Sequence, residues 1–311
     1  MAMNGDDATG PIIETSSLAK RYGSVTALHG LDLSVMRGEV FGLLGPNGSG
    51  KTTAIRLLLG LIRPTAGHAR VAGLDPWRRS VEVRDRVSYL PGELRLIGSF
   101  TGFGLLKFLS SLRGGVGLDR AVAIAERMMK LDLRRTVRNY STGMKQKLAL
   151  AQAFADPVEI LILDEPTSAL DPSARSDVLG LVREAKRAGQ TVIFSGHVLP
   201  EVEEVADRVA IMRRGRLMHI EDMHARRNRV RLLLLRFGGG PPESLPESLG
   251  LTLRERRGDV LLLEHAGEVG PLLDWLREAG VVDLAIGTED LKGLYDRYHG
   301  PGAVDDGEGD G

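Results

Sequence analysis

The sequence predicts an α/β protein built around a parallel sheet, with a smaller α+β domain behind it. Three observations carry that expectation. The short apolar runs "VFGLL" (Val40–Leu44), "ILIL" (Ile160–Leu163) and "TVIF" (Thr191–Phe194) have the length and unbroken hydrophobicity of strands buried on both faces. The first is followed by a glycine-rich loop and then a leucine-rich helical stretch, Thr52–Leu61, which "RPTAG" ends. After Ile220 the character changes, and short strands interleave with helices.

Composition narrows the function classes. With 311 residues, 42% apolar and 26% charged, the chain is expected to be globular with one or two cores. Lysine plus arginine and aspartate plus glutamate balance at 41 each, so no global field draws in nucleic acid or a lipid surface. The absence of cysteine excludes disulfides and thiolate metal sites and fits a reducing compartment. The start, "MAMNGDDATGP", has neither the basic head nor the apolar run of a signal peptide, and residues 1–11 are expected to be a disordered leader. No uncharged apolar run approaches the roughly 18 residues of a spanning helix. The strongest, "RLLLLRF" (Arg231–Phe237), stops after four leucines.

Taken in order, the first chemical motif is "LLGPNGSGKTT" (Leu43–Thr53), in which Gly45, Gly50, Lys51 and Thr52 fit G-x-x-x-x-G-K-[ST]. A chance match in a chain this long is a roughly 1% event, and the flanking strand and helix are the context the pattern needs. The loop from Gly45 through Pro46, Asn47, Gly48 and Ser49 to Gly50 lets backbone amides curl around phosphate oxygens. The helix start at Lys51, Thr52 and Thr53 adds partial positive charge. Lys51 is placed to reach the β- and γ-phosphates, and the Thr52 hydroxyl to ligate magnesium. Next come two helical stretches, Thr101–Leu112 and Asp119–Leu131, separated by "RGGVG"; Met128 and Met129 in the second read as core filler. In "NYSTGMKQKLALAQAF" (Asn139–Phe154), Ser141 caps a continuous helix with Gly143 beside it, a second anion-binding helix start. "ILILDEP" (Ile160–Pro166) delivers two acids at the carboxyl end of a buried strand, where open α/β sheets bind ligands. A strand ending in two acids is, alone, often a solvated strand end. Beside a phosphate loop, Asp164 is expected to hold magnesium and Glu165 to act as general base on the attacking water.

Motifs of these types in this order resemble the ATPase subunit of an ABC transporter, over about Ile12–Ile220. The family's signature, usually L-S-G-G-Q, falls on Tyr140, Ser141, Thr142, Gly143 and Met144, where serine and the second glycine survive. Such serine-x-glycine variants resemble those of drug-exporter ATPases whose membrane partner is a separate chain. The resemblance implies a phosphate-loop NTPase with a RecA-like core. An N-terminal antiparallel β subdomain and a helical signature subdomain at about 93–156 would complete an ATPase domain at 12–222. It implies that Tyr22 stacks on adenine and that His197, after "TVIFSG", contacts the γ-phosphate and Glu165. It also implies that Asp171, in "SALD", belongs to a loop crossing to a partner subunit. Ser141 and Gly143 would then cover the partner's ATP in a head-to-tail dimer, with itself or a related ATPase. Closure of that dimer would drive export of a drug or other small, lipophilic compound through a separate permease at the inner face of the cell membrane.

One segment departs from the family. A glutamine normally follows a "Y-x-P"-like strand end, and "VSYLPGELRL" (Val87–Leu96) puts Gly92 there with Glu93 next to it. Either Glu93 takes over, binding magnesium directly or through water, or the contact is absent; the sequence leaves both open. Two other functions compete with export. A soluble ATPase of the same superfamily acting on ribosomes or DNA generally has two cassettes or long coiled coils, and neither is present here. A non-catalytic nucleotide sensor is disfavoured by the presence of both Glu165 and His197.

Beyond Ile220, "EDMHARRNRV" reads as a charged, basic connector, its arginines a solvated linker face rather than a lipid or permease contact. It is followed by strands in "RVRLLLLRF" and "LTLRERRGDVLLLEH", a helix from about Pro271 to Ala279, a strand in "VVDLAIG", and a final helix capped by Thr288. This predicts an accessory α+β domain at 223–299, of ferredoxin-like type, resembling the carboxyl-terminal domain of many drug-exporter ATPases. The last residues, 300–311, are expected to be disordered.

Overall fold

In the computed structural model, residues 10–229, 231–242 and 244–288 are described, and the chain divides into two compact units between Ile220 and Glu221. The first unit opens with β1 (Pro11–Tyr22) and β2 (Val25–Met36), then β3 (Val40–Leu44), α1 (Lys51–Leu58) and β4 (Ala66–Val71). Strands β2, β1 and β4 pair antiparallel in that order, forming the N-terminal layer the resemblance implies. Next come α2 (Ser80–Asp85), β5 (Val87–Leu90), and a helical insertion of α3 (Gly102–Ser111), α4 (Leu118–Ala123) and α5 (Thr142–Ala155). The unit closes with β6 (Ile160–Asp164), α6 (Pro172–Arg187), β7 (Thr191–Gly196), α7 (Leu199–Val205), β8 (Arg208–Arg213) and the greater part of β9 (Arg216–Asp222), whose last two residues fall past the division.

The central sheet has the order β5-β6-β7-β3-β8-β9, and its pairs from β5 through β8 are all parallel. Every residue of β3, β6 and β7 is buried, which is why these runs lack the alternation of a one-sided sheet. One apolar core joins the two sheets: Ile13, Leu28 and Val35 from the antiparallel layer meet Ile55 and Leu58 of α1, with Phe41, Ile162 and Ile193 below. Fully burying each such side chain stabilises the fold by about 1.5–3 kcal/mol. β3 lies between β7 and β8, so the strand order reverses there, and ligands of open α/β sheets bind at the carboxyl ends beside such a switch.

Two stretches differ from their sequence expectation. The helix expected over 119–131 stays α-helical only to Ala123, then widens into a π-turn at Ile124–Met128. Met129 N–H donates to Ile124 O at 3.0 Å, and Lys130 turns left-handed at φ 53°, ending the run. The charged connector is largely helix α8 (Met223–Arg229): Asp222 Oδ1 accepts from Ala225 N–H at 2.8 Å, and buried Met223 anchors the first turn.

The second unit is an antiparallel sheet of β10 (Arg231–Phe237), β11 (Leu251–Arg257), β12 (Val260–His265) and β13 (Val281–Thr288), with α9 (Val269–Glu278) between the last two. The order β11-β12-β10-β13 interleaves two split units, as in a ferredoxin-like sheet, but a loop and a short 3-10 turn at Glu247–Leu249 replace the first crossover helix. The four leucines of "RLLLLRF" alternate: Leu233 and Leu235 are buried opposite Leu263 and Leu261, while Leu234 faces outward. Leu272 and Leu276 of α9 close this core. The expected final helix, from Glu289 on, and the expected leader and tail fall mainly outside the described residues.

Candidate functional site

The phosphate loop leaves β3 at Gly45 and enters α1 at Lys51. Its glycines are required by space and by conformation. A Cβ on Gly45 would lie 2.4 Å from Met212 O, and Gly48 and Gly50 hold φ of 82° and 103°. Gly50 precedes a helix with no side-chain cap, which leaves the first amides of α1 facing the loop. Lys51 is 5% exposed and curls back, donating to Gly45 O at 2.6 Å and Pro46 O at 3.2 Å. Burial pushes its ammonium below the usual lysine range, against the opposing pull of Glu165 and Asp164. Ser49 Oγ is buried inside the loop without a hydrogen-bond partner in the protein. An ammonium returned to its own loop carbonyls and an orphan hydroxyl suit a ligand rich in acceptor oxygens.

The acids come from the neighbouring strand ends. Thr52 Oγ1 donates to Asp164 Oδ2 at 3.0 Å, and Ser195 Oγ donates to Asp164 Oδ1 at 2.5 Å. Asp164 and Ser195 face each other in the β6–β7 register, so the parallel pairing itself delivers this contact. Just past the strand, Glu165 takes φ 50°, a left-handed conformation uncommon for a side chain of its size. Its N–H is held by both Ser195 Oγ at 3.1 Å and Ser195 O at 3.2 Å. Its carboxylate stands between Lys51 Nζ at 3.9 Å and His197 Nδ1 at 3.8 Å.

Beside these groups opens a cavity of about 560 Å³ lined by Asn47, Thr52, Glu93 and Glu165 among others. A Cβ on Gly92 would lie 3.5 Å from Asp164 Oδ2, which puts the position of the absent glutamine next to the expected metal ligand. Exposed Glu93 lines the same cavity. So does Tyr89, whose phenol is pushed up to about 12 by burial and then by the Asp164 charge.

Lys51, Thr52, Asp164, Glu165 and His197 are thus brought together, with Gly45–Thr53 around them and Glu93 across the cavity. Other expected site residues stand apart from that cavity. Tyr22 is half-exposed near the end of β1, with Lys20 Nζ 5.0 Å above its ring. Ser141 caps α5 by accepting from Met144 N–H at 3.2 Å, and Gly143 sits beside Ala169 O. Asp171 caps α6: the Ala174 N–H, and then Lys147, hold its carboxyl below the usual carboxylate range. Sequence reasoning missed Ser195 and Tyr89. Its signal for the first is a hydroxyl closing an apolar strand, in "TVIFSG", legible only once the strand pairing is known.

A glycine loop between a buried strand and a helix, with a buried lysine and a strand-end acid pair, defines a phosphate-loop nucleotide-binding protein. A family profile described as ABC transporter matches residues 28–168. The chain is 30% identical over 303 residues to the bacitracin transport ATP-binding protein of Enterococcus faecalis, covering 94% of this chain and 98% of that one. It is 41% identical over 211 residues to a daunorubicin resistance ATP-binding protein of Streptomyces coeruleorubidus, 66% of each chain. Among solved structures, an ATP-binding subunit of an ABC transporter superposes with a TM-score of 0.65 at 28% identity, over 70% of this chain and 92% of that one. A dimeric bacterial ABC transporter cassette shares the fold, with a TM-score of 0.61 at 22% identity over 68% and 98%. The protein belongs to the ABC transporter ATP-binding subunits: it binds ATP and is an ATPase.

Proposed function

We propose that this ATPase energises export of a drug or other small, lipophilic compound through a separate membrane permease, acting in a head-to-tail dimer with itself or a related ATPase at the cytoplasmic face of the membrane. The observation that carries the hydrolytic part is the placement of Glu165, 3.9 Å from Lys51 and 3.8 Å from His197, beside an Asp164 already gripped by Thr52 and Ser195. Export is supported by the relatives named for bacitracin transport and daunorubicin resistance, the first of which aligns across both units. A separate permease accords with the described residues, where no helix is long and apolar enough to cross a membrane. On this reading the ATPase domain is 12–222 and the accessory domain 223–299.

In the reaction, the loop amides and Lys51 bind the β- and γ-phosphates, and release of Lys51 from its loop carbonyls frees it for them. Thr52 and Asp164 offer adjacent oxygens of the kind a hard cation takes, and fit magnesium. Magnesium, when bound there, neutralises charge developing on the transferred phosphoryl group. Glu165 accepts the proton of the attacking water, and His197 orients that carboxylate from its other side. Ser141 and Gly143 contact the γ-phosphate held by the facing copy, Asp171 lies at that junction, and Tyr22 stacks on adenine. Glu93 is the side chain available to replace the missing glutamine.

The test is purification from membranes. Retention of a polytopic membrane protein on the tagged chain, with ATP turnover rising in the assembled complex, is the expected result. Sedimentation with ribosomes and no membrane partner would overturn the export reading.

A further inference from the structure

The segment just after the catalytic carboxylate and the serine-capped helix are fastened to each other within one chain. Gln146, 3% exposed, donates from Nε2 to Pro166 O at 2.9 Å. One turn earlier, a Cβ on Gly143 would lie 2.9 Å from Ala169 O, so helix and segment touch with no room for a side chain. Lys147 Nζ pairs with Asp171 Oδ2 at 3.3 Å. Positions 143, 146 and 147 are spaced i, i+3 and i+4, one face of α5, and all three meet the segment 166–171 immediately behind Glu165.

That segment is where Glu165 needs support. Glu165 is left-handed, and its carbonyl accepts from Ser168 N–H at 3.3 Å, closing a four-residue turn with Pro166 second. Ser195 holds the near end of this turn through the Glu165 N–H. At the next residue of the turn, the Pro166 carbonyl accepts from Gln146 Nε2. An amide buried as deeply as this is tolerated only when hydrogen-bonded, so the contact has a defined geometry rather than a loose one.

We propose that Gln146 is a positioning residue for hydrolysis: it transmits the placement of Ser141, at the start of α5, to the turn that aims Glu165 in the same chain. This rests on the dimer reading above, in which Ser141 meets nucleotide held by the facing copy. Engagement of that nucleotide then sets the carboxylate serving the chain's own ATP, and the two sites report on each other through the backbone of α5.

The experiment uses the full-length chain with magnesium and ATP and the variants Gln146→Met, which keeps the side-chain volume without the donor, and Gln146→Glu. Turnover, apparent KM, thermal midpoint, and nucleotide-dependent dimerisation in a Glu165→Gln background are measured together. Gln146→Met is expected to lower kcat about tenfold, with KM within about twofold, dimerisation kept and the melting midpoint lowered by only a few degrees as the Pro166 carbonyl loses its donor. Gln146→Glu is expected to recover kcat relative to wild type as pH falls, because a buried carboxyl has a raised pKa and donates to Pro166 O only when protonated. Wild-type kcat in Gln146→Met overturns the proposal, as does a kcat loss matched by loss of the fold or of the dimer. If Glu165→Gln alone stays monomeric with ATP, the paired-site reading fails first and the cross-talk between copies falls with it.

Discussion

The two units bury polar groups to opposite ends. In the first, Lys51, Asp164 and Ser195 are almost fully enclosed at the carboxyl ends of parallel strands, and each has partners able to exchange for a ligand's oxygens. In the second, His265 is the one fully buried titratable side chain among the described residues, and its Nε2 has no hydrogen-bond partner. It lies beside Arg231, with Nδ1 3.4 Å from a guanidinium nitrogen. The difference is one of architecture. A parallel sheet switched at β3 collects strand ends from distant parts of the chain into one place, whereas an antiparallel sheet returns each strand to its neighbour and buries an alternating apolar face. Chemistry therefore belongs to the first unit, and the polar group of the second bears on stability.

That contrast can be broken in order of expected effect. Glu165→Gln should lower kcat by about 10²–10⁴-fold, the usual range for a general base, while nucleotide binding, followed by a fluorescent ATP analogue, persists. Normal turnover in that variant would remove the base assignment. Ser195→Ala should lower kcat about tenfold, since it strips one hydrogen bond from the Asp164 carboxylate and the side-chain brace from the Glu165 N–H. Steady-state kinetics at saturating ATP would show it. Gly45→Ala should destabilise the first unit by about 1–3 kcal/mol, because the new methyl meets Met212 O and Ser49. A calorimetric scan would register a lower midpoint for that unit.

The smallest effect belongs to the second unit. Burial, and secondarily Arg231, lowers the His265 pKa below its ordinary value of about 6.5. The unfolded chain therefore binds the extra proton first on acidification. The folded state loses stability as pH falls below about 6.5 and regains it above. Melting of the second unit should drop between pH 7.5 and 5.5, and His265→Leu should flatten that dependence without altering ATP turnover at neutral pH. A change in turnover would mean that the second unit bears on the catalytic centre.

What was legible in the sequence follows the same division. The buried strands and the phosphate loop are local: "VFGLLGPNGSGKTT" states strand, turn and helix within a dozen or so residues. The acids of "ILILDEP" are visible as chemistry, but what braces them is not: Ser195 reaches Asp164 only through strand register, and Gln146 reaches the Pro166 carbonyl behind them only through helix packing. The charged composition of α8 reads as a connector, whereas a capping Asp222 and one buried Met223 order its first turn. The π-turn at Ile124–Met128 changes hydrogen-bond spacing while leaving the apolar positions nearly helical, so the periodicity of 119–131 concealed it. In the second unit the strands were readable one by one, while their interleaved order depends on pairings between segments distant in sequence.

The register that sets Asp164 against Ser195 fixes length as firmly as it fixes chemistry. Adding a single residue inside β7 would turn the Ser195 hydroxyl to the opposite side of the sheet and set Phe194 against the carboxylate, and deleting one would set Gly196 there. Variation in chain length can accumulate freely at surface turns such as the one at Gly189, but in these two strands an insertion of one is a heavier lesion than most substitutions.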